Sequence, residues 1–219
     1  MSEQAEGRMS EAAPASTGSL YVIAAPSGGG KTSLVRALLE REPGIRLSVS
    51  YTTRPPRPGE IDGVHYRFVD EAGFEARKAA GEFLEHAHVH GNWYATSSSW
   101  LRDEVAAGHE MLLEIDWQGA AQVRKLIASA VLIFILPPSL ASLRERLEKR
   151  GQDAPGVIAR RIEAAREEMR HCADFDYVII NQDFATAVDD LAAIVRASRL
   201  RTGPQLARAG TLLETLLAR

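Results

Sequence analysis

The chain carries one cysteine, Cys172, so no internal disulfide can form and stability has to come from buried apolar surface. Such sparing use of cysteine fits a reducing compartment, and a cytoplasmic location is the expectation. Long apolar runs are also missing. The longest, Ala130 to Leu136, has the length of a buried strand, far short of the roughly 18 residues a membrane helix needs. Nor does one sign of charge dominate: 26 Lys and Arg face 29 Asp and Glu, a net charge of -3. Nothing in that balance draws the chain to nucleic acid or to an acidic membrane, and neither is expected as a partner. Recognition of phosphate must therefore come from local clusters. The opening MSEQAEGRMSEAAPASTGS has acidic and small residues but no apolar segment, which argues against a signal peptide or anchor and reads as a disordered tail over 1–18. Internal repeats and long low-complexity tracts are lacking too.

What is present is 45% hydrophobic residues, enough to fill the core of one domain with appendages or two small lobes. Four nearly continuous apolar runs read as buried parallel strands: Leu20 to Ala25, Met111 to Ile115, Val131 to Leu136 and Tyr177 to Ile180. A fifth strand is expected around Leu47 to Tyr51. Helical periodicity flanks most of these runs, the pattern of an α/β fold with helices covering a parallel sheet. The segment from about Thr52 to Ser99 is different, with prolines, glycines, aromatics and short alternating stretches, and reads as a small β-rich insertion. A helix from Ser99 to Ala107 leads back to the core. After Pro137 and Pro138, Ser139 can cap a charged helix that runs to Gly151, and a second helix spans Pro155 to about His171. Two polar helices joined by a glycine-containing loop resemble a movable flap; the plainer alternative is a solvated hairpin. At the end, leucines at 206, 212, 213, 216 and 217 make one apolar face of a helix that has to pack on the body or on another subunit.

The first run breaks into APSGGGKTS, Ala25 to Ser33, and a helical pattern follows at once. Glycines let consecutive N–H groups point inward around an anion, and the helix adds the positive end of its dipole. Lys31 is positioned to reach the outer phosphates of a nucleotide and Thr32 to ligate its magnesium ion. Against G-x-x-x-x-G-K-[ST] the loop departs once, with Ala25 in place of the first glycine. A second phosphate element lies in SVSYTTRPPRPGEIDGVHY, where Arg54 and Arg57 sit three apart in a loop stiffened by proline. Guanidinium groups clamp phosphate through paired hydrogen bonds. Two such elements in one chain point to two phosphorylated ligands facing each other.

The loop APSGGGKTS, the run SVSYTTRPPRPGEIDGVHYRFV, and GEFLEHAHVHGNWYATS, LLEIDWQGA, IFILPPS, RLEKRG and YVIIN together resemble guanylate kinase in order and spacing, over roughly Ser19 to Leu200. That resemblance implies a P-loop core of three layers, 19–51 with 99–138 and 172–200, a GMP-binding lobe over 52–98, a helical lid over 139–171 and a C-terminal helix over 201–219. It implies transfer of the γ-phosphoryl group of ATP to GMP with Mg2+. Matching positions assign ATP to Ala25, Pro26, Ser27, Gly28, Gly29, Gly30, Lys31, Thr32 and Ser33, and the adenine contact to Asn181. They assign the GMP phosphate to Arg54, Arg57, Tyr66 and Tyr94, and the guanine to Ser50, Glu85 and Thr96. A carboxylate at Glu85 suits guanine, whose N1–H and 2-amino groups both donate, while adenine offers no such pair. Glu114 and Asp116, two apart on the second core strand, are expected on the GMP side, with Glu114 left between guanine and the ordering of magnesium. Arg146, Arg150 and Arg161 match the flap arginines, which join Lys31 and Arg54 as the catalytic cations.

Two rival classes stay open at this level. A scaffold module of the same fold binds protein partners but generally lacks an intact phosphate loop; a kinase for AMP, dTMP or UMP would lack the Glu85 pattern. His86, His88 and His90 alternate as metal ligands can, but they fall inside the GMP lobe without Cys or acidic companions and read as packing. Trp93, Trp100 and Trp117 read as packing residues and Cys172 as an inert thiol. Oligomeric state has no signature.

Overall fold

A computed structural model describes residues 18–89, 91–149 and 155–218. Its first strand, β1 (Leu20–Ala24), is buried at every residue because it runs down the middle of a parallel sheet with helices on both faces. The side-chain alternation of a strand sends Tyr21 and Ile23 to one face and Leu20 and Val22 to the other. Helix α1 (Lys31–Arg41) follows and buries Leu34, Val35 and Leu38 on the first face.

β2 (Ile45–Leu47) lies at one edge of this sheet, and there the expectation of one strand from Leu47 to Tyr51 has to be corrected. The chain changes sheets within that stretch. The Ser48 amide still donates to Leu112 O at 2.9 Å, whereas Ser50 O accepts from the Arg67 amide at 2.9 Å in a second sheet. Tyr51 and Thr52 are already β3 of that sheet, beside β4 (Arg67–Phe68). Backbone groups that switch partners within three residues cannot form one continuous ladder.

Helix α2 (Glu71–Ala79) is capped by Asp70, and Phe74 packs from it onto Phe83 and Trp93. β5 (Phe83–Val89) and β6 (Asn92–Ser97) pair antiparallel and complete a four-stranded sheet of order β4-β3-β6-β5. On β5, Glu85 and Ala87 turn inward while His86 and His88 lie against Trp93, so these two histidines pack an aromatic cluster. His90 lies outside the described residues.

The chain re-enters the core through α3 (Ser98–Ala106), β7 (Glu110–Glu114), α4 (Trp117–Leu126) and β8 (Val131–Leu136). Ser139 Oγ accepts the Ser142 amide at 3.0 Å, opening α5 (Leu140–Lys149). With α6 (Pro155–Arg170) it encloses its own apolar cluster of Leu143, Leu147, Ile158, Ile162 and Ala165. β9 (Tyr177–Ile180) gives the parallel order β2-β7-β1-β8-β9, and α7 (Phe184–Arg199) covers the same face as α1. The expected single C-terminal helix is two: α8 (Thr202–Arg208) and α9 (Gly210–Leu217). The break falls at Ala209 and Gly210, where glycine weakens helix continuity, and Leu212, Leu216 and Leu217 stay exposed. None of the helices among the described residues is long and apolar enough to cross a membrane.

Arg199 at the end of α7 clasps the edge of the sheet opposite the phosphate loop. It donates to both oxygens of buried Glu110 at 2.7–3.0 Å and to Glu42 at 2.6 Å, and Arg208 adds a longer bond to Glu110 at 3.2 Å. Replacing Arg199 by alanine removes the main partner of a buried carboxylate, so urea denaturation should show a loss of about 2 kcal/mol. A change below about 0.5 kcal/mol would mean that solvent satisfies Glu110 without the arginine.

Candidate active site

The site forms where β1 ends. Gly28 and Gly30 take φ of 90° and 91°, left-handed conformations that side chains resist, and let the loop curl back on itself. Helix α1 then starts with no side-chain cap, although α2, α4 and α7 are each capped by an aspartate, Asp70, Asp116 and Asp183. Its first amides and dipole are left facing an open cleft, a ready seat for an anion. The outer side of the loop is braced from elsewhere. Arg146 donates to Gly29 O at 3.2 Å and to Asn181 O at 2.9 Å, and the Asn181 amide also donates to Gly29 O at 3.0 Å. Arg161 donates to Ser27 Oγ at 2.5 Å.

Asn181 is buried beneath the loop and its side chain supports the Gly29 carbonyl, a bracing contact that the sequence did not foretell. A Cβ on Gly30 would meet the Asn181 amide nitrogen at 2.5 Å, which shows how closely the two are packed.

A cleft of about 220 Å³ joins this loop to the smaller sheet. Ala25 through Thr32 form one wall; Ser50, Tyr66, Glu85, Ala87 and Tyr94 form another; Glu114, Asp116 and Glu168 close it. Lys31 and Glu85 thus share one space, and Lys31 Nζ donates to Ile115 O at 2.6 Å. Thr32 Oγ1 donates to Glu114 Oε1 at 2.5 Å, which sets Glu114 at the phosphate end. Asp116 is not on the strand with it, as the sequence spacing implied. β7 stops at Glu114, and Asp116 is the cap of α4, its Oδ1 accepting the Gly119 amide at 2.9 Å.

At the far end, Glu85, Thr96 and Ser50 are buried polar residues. Cross-strand pairing puts Glu85 opposite Thr96, whose hydroxyl donates to Glu85 Oε1 at 2.7 Å. Burial pushes the Glu85 carboxyl up to about 7, against the Thr96 hydrogen bond, and the nearby Asp116 charge adds to the rise. Tyr66 is pushed up to about 12, first by burial and then by the charge of Glu114, so its phenol stays a neutral donor.

Arg54 lies beside the cleft, 5.3 Å from the Tyr66 ring centre, and its guanidinium donates to Glu60 at 2.8 Å. That bond holds Glu60 below the usual carboxylate range. Arg57 is not gathered in with it: the side chain is exposed, and only its backbone amide joins the cluster, donating to Glu60 at 2.7 Å. Ser33 is exposed on α1 outside the cleft lining, and Arg150 lies outside the described residues.

Sequence reading missed Glu168. Its carboxylate accepts the Ser27 amide at 3.1 Å, and burial raises its pKa. The signal was its spacing: Glu168 is seven residues, two helical turns, beyond Arg161 and therefore shares its face of α6.

Comparisons with known proteins extend this geometry. A family model described as guanylate kinase matches residues 17–198. A guanylate kinase of Dechloromonas aromatica is 58% identical over 200 residues, covering 91% of this chain and 99% of its own. One from Aromatoleum aromaticum is 61% identical over 188 residues, covering 86% and 92%. The crystal structure of guanylate kinase from Anaplasma phagocytophilum matches with a TM-score of 0.72 at 37% identity, over 86% of this chain and 90% of that one. With a phosphate loop opening onto a buried carboxylate, and likeness at that level through nearly its whole length, the chain belongs to the guanylate kinase family.

Proposed function

We propose that the chain transfers the γ-phosphoryl group of ATP to GMP, giving ADP and GDP. The observation that carries this reading is the single cleft joining Lys31 and the loop amides to the Glu85–Thr96 pair. An oxygen of the GMP phosphate attacks the γ-phosphorus while the bond to the β–γ bridging oxygen breaks. Little covalent help is required, so catalysis is positioning and neutralisation of charge. The loop amides hold the ATP phosphates, and Lys31 leaves the Ile115 carbonyl to follow the group in transit. Arg146 and Arg161, already anchored on the loop, add positive charge beside it. Movement of α5 and α6 as a lid would complete the enclosure and keep water out.

GMP is held at its phosphate by Arg54 with Tyr66 and Tyr94, and at its base by Glu85, Thr96 and Ser50. Arg57 joins only if its exposed side chain swings inward. The Thr32 hydroxyl and the Glu114 carboxylate, with Asp116 near, are hard oxygen groups of the kind that suits Mg2+, which binds a few protein oxygens together with nucleotide phosphates and water. When bound, that ion neutralises charge on the phosphates.

A coupled assay of ADP release with GMP, AMP, UMP and dTMP should give substantial turnover with GMP alone; equal turnover with AMP would reject the base assignment. Lys31→Ala should lower kcat by at least about 100-fold, the scale of losing one charged transition-state contact, while GMP still binds in calorimetry. Wild-type turnover in that variant would remove the phosphate loop from the mechanism. Arg54→Ala should raise the KM for GMP with little change in that for ATP.

Acidity provides a separate test. The free carboxyl of Glu85 titrates near 7, and guanine N–H donors favour its ionised form, so GMP binding expels a proton and weakens as pH falls through that value. Calorimetry in buffers of different ionisation enthalpy reads this directly. Glu85→Gln should remove the component of proton release that wild type shows beyond the phosphate's own titration, and should lower GMP preference by about 10- to 100-fold. Identical proton release in both proteins would place base reading elsewhere.

A further inference from the structure

We infer that Gly119, in the first turn of α4, is a specificity-determining position, its missing side chain being the space in which the Glu85 carboxylate lies. The inference rests on the reading that Glu85 meets the guanine base. A β-carbon built on Gly119 would stand 3.1 Å from Glu85 Cδ and closer still to Oε2, with Ile115 Cδ1 at 3.2 Å. Real atoms do not share that space, so something must give.

The backbone does not call for glycine there. Gly119 is a helical residue without positive φ, and glycine weakens a helix by about 0.5–1 kcal/mol relative to alanine. Space is the remaining reason for a small residue. Helix α4 cannot readily retreat, because Ala120 and Val123 are buried against Val22 and Leu113 of the large sheet, and the Gly119 amide is tied to Asp116. The β5 backbone is fixed by its pairing with β6. The part free to yield is the carboxylate itself. One of its oxygens takes the Thr96 hydroxyl and the other lies against α4, so a methyl group on Gly119 forces it to turn into the cleft or to give up Thr96. Either movement puts the acceptor pair out of register with the two guanine donors. Gly119 acts through Glu85, without touching substrate, and is a positioning residue.

The test compares wild type, Gly119→Ala, Glu85→Gln, Glu85→Asp and the Gly119→Ala/Glu85→Asp double variant. Measurements are KM for GMP and ATP, the ratio of kcat/KM for GMP over AMP, and the thermal midpoint. Gly119→Ala should raise the KM for GMP at least about tenfold and reduce the GMP:AMP ratio similarly, leaving the KM for ATP within about twofold and the midpoint unchanged or higher. Glu85→Asp withdraws the carboxylate by one methylene and makes room, so adding Gly119→Ala to it should cost less than about threefold more. If Gly119→Ala leaves KM and selectivity unchanged while Glu85→Gln erodes selectivity, the inference is overturned and the base-reading role of Glu85 stands. If Glu85→Gln also leaves selectivity unchanged, that role falls and the inference with it. Should Gly119→Ala fail to fold, a folded double variant would still identify the carboxylate as the clashing group, and an unfolded one would overturn the inference.

Discussion

The uncapped start of α1 is the constraint from which the rest of the architecture follows. A helix that begins without a side-chain acceptor leaves amide donors and a positive dipole end exposed, and the surrounding fold must aim them at a ligand without collapsing onto them. Central placement of β1 in a parallel sheet fixes the loop at the carboxyl edge of the strands, where open α/β sheets hold their ligands. Braces from α5, α6 and the end of β9 occupy the Gly29 carbonyl and Ser27 on the loop's other side. The first amides of α1 are thereby left to face the cleft.

Glu168 introduces an opposing element. It is an anionic group, partly buried, already on the Ser27 amide of a loop whose task is to attract anions. Its raised pKa reflects the cost of keeping that charge in a dry place. A polyphosphate arriving in the loop competes for the same donor and repels the same carboxylate. Helix α6 thus carries groups of both signs toward the loop: Arg161, which phosphate attracts, and Glu168, which it repels. Opposite charges meet in the smaller lobe too, where the Arg54 guanidinium is held by Glu60.

Local sequence made the sheet legible because buried parallel strands need continuous apolar residues, and Val131 to Leu136 or Tyr177 to Ile180 admit few other readings. The phosphate loop was legible for a similar reason: glycines, lysine and threonine act there through a contiguous backbone. Residues whose role depends on which distant group they meet were harder to read. Asn181 sits at the predicted end of a strand, yet the carbonyl that its amide braces, that of Gly29, lies 152 positions away. Asp116 looked like a strand residue, but one hydrogen bond to Gly119 makes it a helix cap. The stretch Leu47 to Tyr51 looked like one strand because periodicity does not record a change of sheet. Gly119 itself is an ordinary letter in a helical pattern until Glu85 is found against it.

On the proposed assignment of Glu85 to the guanine base, its burial is what would let a small lobe discriminate among purines. In water a carboxylate would hold guanine and lose it again at little cost, since solvent offers equally good donors. Inside the lobe only the Thr96 hydroxyl donates to it among the described side chains, and desolvation has already raised its pKa to about 7. The penalty for the charged form is therefore borne by the empty protein. A base with two correctly spaced donors relieves that penalty, whereas a base without them either leaves the charge unpaired or leaves a proton in place. Selectivity then comes less from the attraction to guanine than from what every other base fails to relieve, and it survives only as long as the carboxylate is kept from turning toward water.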